Sequence, residues 1–396
     1  MNTVRPGQVR SSQRSPGRNN VRTDLLSFFL AGFECSTHVR PDGVRLDLLA
    51  STRHDSLAAQ DYAQVRQHGI RTVRDGVRWH AIERRAGLYD WTSWLPMLRA
   101  ARAGGIQVIW DLCHYGWPDD LDIWSGAFVE RFYRYARAAA RVVREETDSV
   151  PYYCPINEMS YWAWAGGDAA RMNPSVTGRG DELKRQLVRA YIAAVEAVRD
   201  VDRRARFIIA EPLIHVVGAE ETREAAETYR LAQFHAHDML TGRLAPELGG
   251  RPEYLDVVGV NFYPDNQWYL GGHTIPLGHH AYRPLREMLL EVHERYGRPV
   301  LLSETGAEGT ARPYWLHHVC AEVSHAIDAG VSMQGVCIYP ILDYRGWDND
   351  RVCQVGLLST ADDLGRRCIY APLLDELQRQ KAHLVHAFRL REPVAV

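Results

Sequence analysis

The sequence has no uncharged apolar run of about 18 residues, which excludes a transmembrane helix from its reading. It also lacks any CxxC pair. Its seven cysteines, at 35, 113, 154, 320, 337, 353 and 368, are odd in number, and several fall inside apolar, strand-like runs. That usage argues against a disulfide framework and for buried free thiols in a reducing, cytoplasmic setting. Neither sign of charge dominates: 47 basic and 49 acidic residues leave a formal net charge of −2. There is thus no electrostatic reason to expect nucleic acid or an anionic membrane surface as partner. Phosphate-cradling patterns are missing as well, with neither GxxxxGK[ST] nor a strand-linked GxGxxG present. The histidine clusters His235-x-His237, His279-His280 and His317-His318 lack metal-ligand spacing, so no cofactor and no metal is expected. What remains is ordinary globular composition, 46% hydrophobic and 24% charged, suited to a small or neutral substrate.

The first 23 residues are poor in acids and apolar residues. Arg5, Arg10, Arg14, Arg18 and Arg22 stand among Ser, Gln, Asn, Gly and Pro, with no acid before Asp24 and no apolar h-region. This argues against a secretory signal and reads as a flexible tail over residues 1–23, followed by a single domain over 24–396. Within that domain, apolar β-rich runs alternate with amphipathic windows. Strands are expected at 28–33, 72–74, 107–112, 152–156, 207–210, 257–260, 300–302 and 336–339. Helices are expected near 56–68, 92–103, 126–146, 181–200, 219–241, 281–296, 312–329 and 372–390, opened by caps such as Asp55, Thr92 and Ser125 and closed by Gly69, Gly104, Gly297 and Gly330. Strand followed by helix, eight times over, describes a single (β/α)8 barrel of the TIM type, and continuous apolar strands suit a parallel sheet buried on both faces.

In such barrels chemistry gathers where the strands end. The residues leaving the eight strands are Glu34, Arg74, Asp111 through His114, Asn157-Glu158, Glu211, Asn261-Phe262-Tyr263, Glu304 and Asp343 through Asp348. Charged groups converging on one mouth are costly unless they pair or act. Two segments, Pro155-Ile-Asn-Glu158 and Leu301-Leu-Ser-Glu304-Thr-Gly306, each carry an apolar strand into a glutamate. Glycoside cleavage requires such a pair, one carboxyl to protonate the leaving oxygen and the other to attack or stabilise the anomeric carbon.

These segments resemble the clan A retaining glycoside hydrolases, and most nearly the family 1 β-glycosidases (β-glucosidase, β-galactosidase and 6-phospho-β-glycosidase). Further likeness lies in Asp111-Leu-Cys-His114-Tyr-Gly-Trp-Pro118 on the third strand, Gly259-Val-Asn261-Phe-Tyr263 on the sixth, and Tyr339-Pro-Ile-Leu-Asp343-Tyr-Arg-Gly-Trp347 on the eighth. The resemblance implies Glu304 as nucleophile and Glu158 as general acid/base, about 5–5.5 Å apart as retention requires. Arg74 and Tyr263 would sit beside Glu304 and lower its pKa. Asn157 would donate to the sugar 2-hydroxyl, and His114 and Asn261 would join the sugar-binding set. Trp347 and Tyr339 are expected to form the substrate floor, with Trp268 as a further platform. The chain departs from the family in having Gly346 before the last tryptophan and no clear amino-terminal glutamine; Glu34, His38, His54, Asp343 and Asp348 are the candidates to fill those roles. The expected partner is a small-molecule glycoside of β-glucoside or β-galactoside type, hydrolysed by double displacement. The alternatives are a transglycosylase of the same mechanism and a non-catalytic barrel that binds a sugar or a partner protein.

Overall fold

The computed structural model describes residues 24–349 and 351–388; the expected tail, 1–23, lies outside the described residues, as does the end of the expected domain. Eight parallel strands close into a barrel: β1 Phe29–Gly32, β2 Thr72–Gly76, β3 Gln107–Asp111, β4 Tyr152–Cys154, β5 Arg206–Pro212, β6 Val257–Asn261, β7 Val300–Thr305 and β8 Met333–Ile338. Each pairs with its neighbour in sequence, and β1 closes the ring by pairing with both β2 and β8. All eight fall where the sequence places them.

The alternation of side chains along each strand builds two cores. Leu30, Ile109, Cys154, Ile208, Ala210, Leu301 and Cys337 pack together in one cluster inside the barrel. Their neighbours, among them Ala31, Val73, Trp110, Tyr153, Ile209, Val260 and Leu302, belong to the larger cluster beneath the helices. The covering helices are α1 His54–Gln67, α2 Leu95–Gly104, α3 Gly126–Glu146, α4 Gly180–Arg199, α5 Arg223–Leu231, α6 Leu285–Tyr296, α7 Ala311–Asp328 and α8 Ala371–Phe388. In α3 the buried stripe Phe128, Phe132, Tyr135, Ala136, Ala139 and Val143 follows the helical period. Each large side chain so buried contributes roughly 1.5–3 kcal/mol.

The helix boundaries correct several expectations. Asp55 lies inside the first turn of α1, not at its cap, which is Arg53 in the left-handed region at φ 60°. Asp90, not Thr92, caps the turn leading to α2. The window 219–241 is broken into α5, the helix His235–Leu240 and two short 3-10 turns. Gly297 ends α6 as expected, at φ 60° with its N–H on the carbonyl of His293.

Candidate active site

Polar side chains form a layer directly above the apolar barrel interior. Arg74, 1% exposed near the end of β2, lies at its centre. Its Nε and Nη2 hold both carboxylate oxygens of Asp111 at 2.9 and 2.7 Å, Nη1 reaches Glu304 Oε1 at 2.6 Å, and Nη2 also donates to Asn157 Oδ1 at 2.6 Å. A buried guanidinium is tolerable only when its donors are matched in this way.

Glu304 is aimed by an irregularity in β7. Val260 pairs with Leu302 but Asn261 pairs with Glu304, and on the other side Val336 pairs with Leu302 while Ile338 pairs with Thr305. Ser303 is therefore an extra residue, a bulge that turns the next side chain toward the barrel mouth. Its hydroxyl donates to Asn261 Oδ1 at 2.7 Å, which fixes the orientation of that amide, and Asn261 Nδ2 donates to Glu158 Oε1 at 2.8 Å. Tyr263 donates its hydroxyl to the second oxygen of Glu304 at 2.8 Å.

Glu158 follows β4 in the left-handed region, φ 40° and ψ 60°, with its N–H bonded to the carbonyl of Ala210. For a residue with a Cβ this conformation costs on the order of 1 kcal/mol and more. The sequence does not single out Tyr115, yet it too has positive φ (66°), and its hydroxyl donates to Glu158 Oε2. Asn157 completes the network: its Nδ2 lies 3.0 Å from both Tyr115 Oη and His114 Nε2. Both amide protons are thus engaged, and a sugar 2-hydroxyl reaches Asn157 only by displacing one of these partners. His114 Nδ1 sits 2.9 Å from Asp111 Oδ2, which places its proton on that nitrogen.

The electrostatics differ from the expectation at one point. Burial raises Glu304 to about 7; the guanidinium of Arg74 and the hydroxyl of Tyr263 pull it down, and the charge of Glu158 pushes it up. The net shift is upward, because desolvation, invisible in the sequence, outweighs the ion pair. Glu158 is also raised by burial, against the hydrogen bonds from Tyr115 and Asn261. When the two groups share one charge, it belongs on Glu304, the member touching a guanidinium; Glu158 has only neutral donors. Burial likewise raises Glu34, which accepts from the Ser36 N–H at 2.9 Å and lies 3.9 Å from His114 Nε2.

A cavity of about 1360 Å³ opens above these groups, with Glu34, His114, Glu158, Glu304, Tyr339 and Trp347 on its wall. Tyr339 sits low in the site because Gly32 makes room for it; a Cβ on Gly32 would stand 1.9 Å from the ring. Trp268 also lines the cavity, edge-on to Tyr229. Of the five candidates to replace the missing family residues, only Glu34 is on the wall. His38 is buried on Ser36 Oγ behind Trp347, His54 lies between Asp61 and Asp75, and Asp343 holds the N–H of Gly356. Asp348, expected to bind substrate, is exposed on the loop after Trp347 and does not line the cavity.

Cys35, Asp111 and His114 bring three potential metal-ligand atoms within 4.8 Å of one another. Asp111 already serves Arg74 and His114, however, and burial keeps the Cys35 thiol protonated, so a cation entering there would compete with a guanidinium. Among the described residues no helix is long and apolar enough to cross a membrane.

The chain is a TIM-type (β/α)8 barrel with a buried carboxylate at the end of β7, a second after β4 and an arginine between them. The sequence matches no protein-family model and no curated protein. The fold, in contrast, matches that of family 1 β-glucosidases. The β-glucosidase of Thermotoga maritima in complex with deoxynojirimycin superposes with a TM-score of 0.73 at 15% identity, covering 92% of this chain and 98% of that one. The β-glycosidase of the hyperthermophile Thermosphaera aggregans gives 0.72 at 14% identity, covering 92% and 99%. The AHE enzyme of Alicyclobacillus herbarius gives 0.72 at 18% identity, covering 84% and 88%.

Proposed function

We propose that this protein is a retaining β-glycosidase that hydrolyses small β-glycosides by double displacement. The observation that carries the proposal is the unequal setting of the two carboxyls. Glu304 accepts from Arg74 and Tyr263, whereas Glu158 is held by the neutral donors Tyr115 and Asn261. In the first step a Glu304 oxygen bonds to the anomeric carbon as the glycosidic bond breaks, and Glu158 gives its proton to the leaving oxygen. In the second, Glu158 takes a proton from water, the hydroxide oxygen bonds to the anomeric carbon from the vacated face, and the Glu304 ester bond breaks. Two inversions return the β-anomer and restore both carboxyls. Glu34, His114, Tyr339 and Trp347 contact the transferred sugar. None of the seven cysteines is paired, which agrees with a reducing cytoplasmic location, although Cys368 is exposed rather than buried.

The test is the anomeric configuration of the first product from an aryl β-glycoside, followed by proton NMR in deuterium oxide. The β-anomer is expected. The α-anomer would refute the double displacement, and absence of turnover across a broad panel of aryl β-glycosides would favour a sugar-binding barrel.

A further inference from the structure

The double displacement uses Glu158 and Glu304, yet a third carboxyl group stands on the cavity wall. Glu34 follows the end of β1 by two residues and is 7% exposed. Its Oε1 accepts the Ser36 N–H at 2.9 Å. The other oxygen, Oε2, accepts no hydrogen bond from the described residues and is open to the cavity.

No cation of the protein answers it. Arg74 spends all five of its N–H groups, one of Nε on Asp111, two of Nη1 on Glu304 and the Ser303 carbonyl, and two of Nη2 on Asp111 and Asn157. His114 carries its proton on Nδ1, facing Asp111, and its Nε2, 3.9 Å from Glu34 Oε1, accepts from Asn157. Asp111, Glu304 and Glu34 thus share one guanidinium, even with Glu158 protonated. Seven carboxyl groups line the cavity but, histidines aside, only two cationic side chains do, Arg171 and Lys184. Arg171 lies over the ring of Trp164, and Lys184 lies among Glu211, Asp181 and Asp168, whereas the charges felt most strongly by Glu34 are those of His114, Glu304 and Arg74.

The chemical class of ligand follows from this imbalance. A phosphorylated sugar or a uronic acid would bring a further negative charge against Glu34 and Glu304, where little water screens the repulsion. A sugar hydroxyl would give Oε2 one hydrogen bond and leave the charge unbalanced. For that task a neutral amide, which both donates and accepts, would serve without burying an acid. An ammonium group supplies the donors and the opposite charge together. Burial above all, and then the charge of Glu304, raise the pKa of Glu34 against the pull of His114 and Arg74, as expected of an acid buried without a cation of its own. We infer that Glu34 selects a transferred sugar bearing a protonated amino group, so that the natural substrates are β-glycosides of an amino sugar; this rests on the β-glycosidase reading above. The amine sits on a carbon other than C2, because an ammonium beside the anomeric carbon would oppose the positive charge of the oxocarbenium-like transition state.

The experiment compares kcat/KM for nitrophenyl β-glucoside and β-galactoside, for their analogues with an amino group in place of one hydroxyl, and for their 6-phosphates, in the unmodified protein, Glu34→Gln and Glu34→Asp. Below the pKa of the amine, at least one substrate with its amino group at C3, C4 or C6 is expected to exceed its parent by about tenfold or more, and the 6-phosphates to fall below theirs. The amino-to-parent ratio is expected to drop about tenfold or more in Glu34→Gln, to recover partly in Glu34→Asp, and to decline in the unmodified protein as pH rises through the pKa of the amine. If the variants do not fold, that decline decides. Absence of any amino substrate that exceeds its parent, or a ratio left unchanged by Glu34→Gln or by pH, overturns the amino-sugar assignment and leaves the glycosidase standing. No turnover of any β-glycoside by the unmodified protein overturns the glycosidase reading and this assignment with it.

Discussion

Tyr115→Phe removes one oxygen from the site while keeping the ring that packs edge-on against His114, Trp162 and Trp347. The lost hydroxyl is one of two donors to Glu158; the other, Asn261 Nδ2, remains at 2.8 Å. Asn157 Nδ2 keeps His114 Nε2 at 3.0 Å, but its other N–H loses the Tyr115 oxygen as acceptor. Both donors favour the ionised carboxyl, and deleting one therefore raises the pKa of Glu158. A hydrogen bond to a charged acceptor contributes about 1.5–3 kcal/mol, and one pKa unit corresponds to about 1.4 kcal/mol. The rise is thus about one to two units, and the lower figure is expected because water can enter the vacated space.

The assay is the pH dependence of kcat/KM for an aryl β-glycoside, whose basic limb reports the loss of the proton from Glu158 in the free enzyme. In Tyr115→Phe that limb should move upward by about one unit, while the acidic limb, governed by Glu304, moves little. A basic limb that stays in place with activity retained, or moves downward, would show that the phenol does not hold the acid/base group, and the assignment of Glu158 would lose its main electrostatic support.

Three other perturbations probe the rest of the framework. Arg74→Ala should move the acidic limb upward, because the guanidinium is what lowers Glu304, and should destabilise the fold by roughly 3–5 kcal/mol through the abandoned Asp111 and Glu304 charges; an unmoved acidic limb would make the arginine a structural cap only. Glu158→Ala should accumulate a covalent intermediate on Glu304 with substrates whose phenolate leaves without a proton, and azide should rescue turnover as the β-glycosyl azide, whereas Glu304→Gly should give the α-azide if any; swapped products would reverse the two roles. His54, fully buried, is raised to about 9: burial opposes its charge, but Asp75 and Asp61 prevail. Its contribution, on the order of 3 kcal/mol, is therefore complete below its unfolded pKa of about 6.5 and lost progressively as pH rises to about 9; the urea midpoint should fall over that window in the unmodified protein and much less in His54→Gln.

The strands were legible because a parallel barrel strand has both faces buried and reads as an uninterrupted apolar run. Glu158, Glu304 and Arg74 were legible as candidates because each follows or closes an apolar run, where a charge has no reason to be unless it is paired or used, and Tyr263 because it follows the polar Asn261 that ends another. The helix Met159–Gly167 was not, since Met-Ser-Tyr-Trp-Ala-Trp-Ala-Gly-Gly has no polar face: it is buried between β5 and α4 and carries no helical period. Tyr115 was hidden by its positive φ, which turns its hydroxyl to Glu158 in a way that side-chain spacing does not reveal. Asp348 was misplaced because the path of the loop after β8 is set by the short ribbon of Tyr344–Arg345 with Val352–Cys353, whose pairing has no strong apolar signal. The upward shift of Glu304 depends on burial, a property of the assembled site.

Two adjacent residues of β2 couple the site to the closure of the barrel. Arg74 faces inward and gathers Asp111, Asn157 and Glu304, while Asp75 faces outward and accepts from Tyr62 and from His54 Nε2, the latter at 2.8 Å. His54 also holds Asp61, and Asp61 holds Arg367, at 2.7 and 2.6 Å. Arg367 in turn bonds the carbonyl of Thr52, so the segment after β8 is tied to the start of α1. These buried groups therefore clamp the seam where β8, β1 and β2 meet, against the strand that carries the central arginine. Catalysis by fixed charges depends on donors that need not reorganise as charge develops. A buried ionic clamp adds little net stability over an apolar replacement, but here it restrains β2 from outside while the carboxylates hold it from inside, and the position of Arg74 relative to Glu304 is the quantity so constrained.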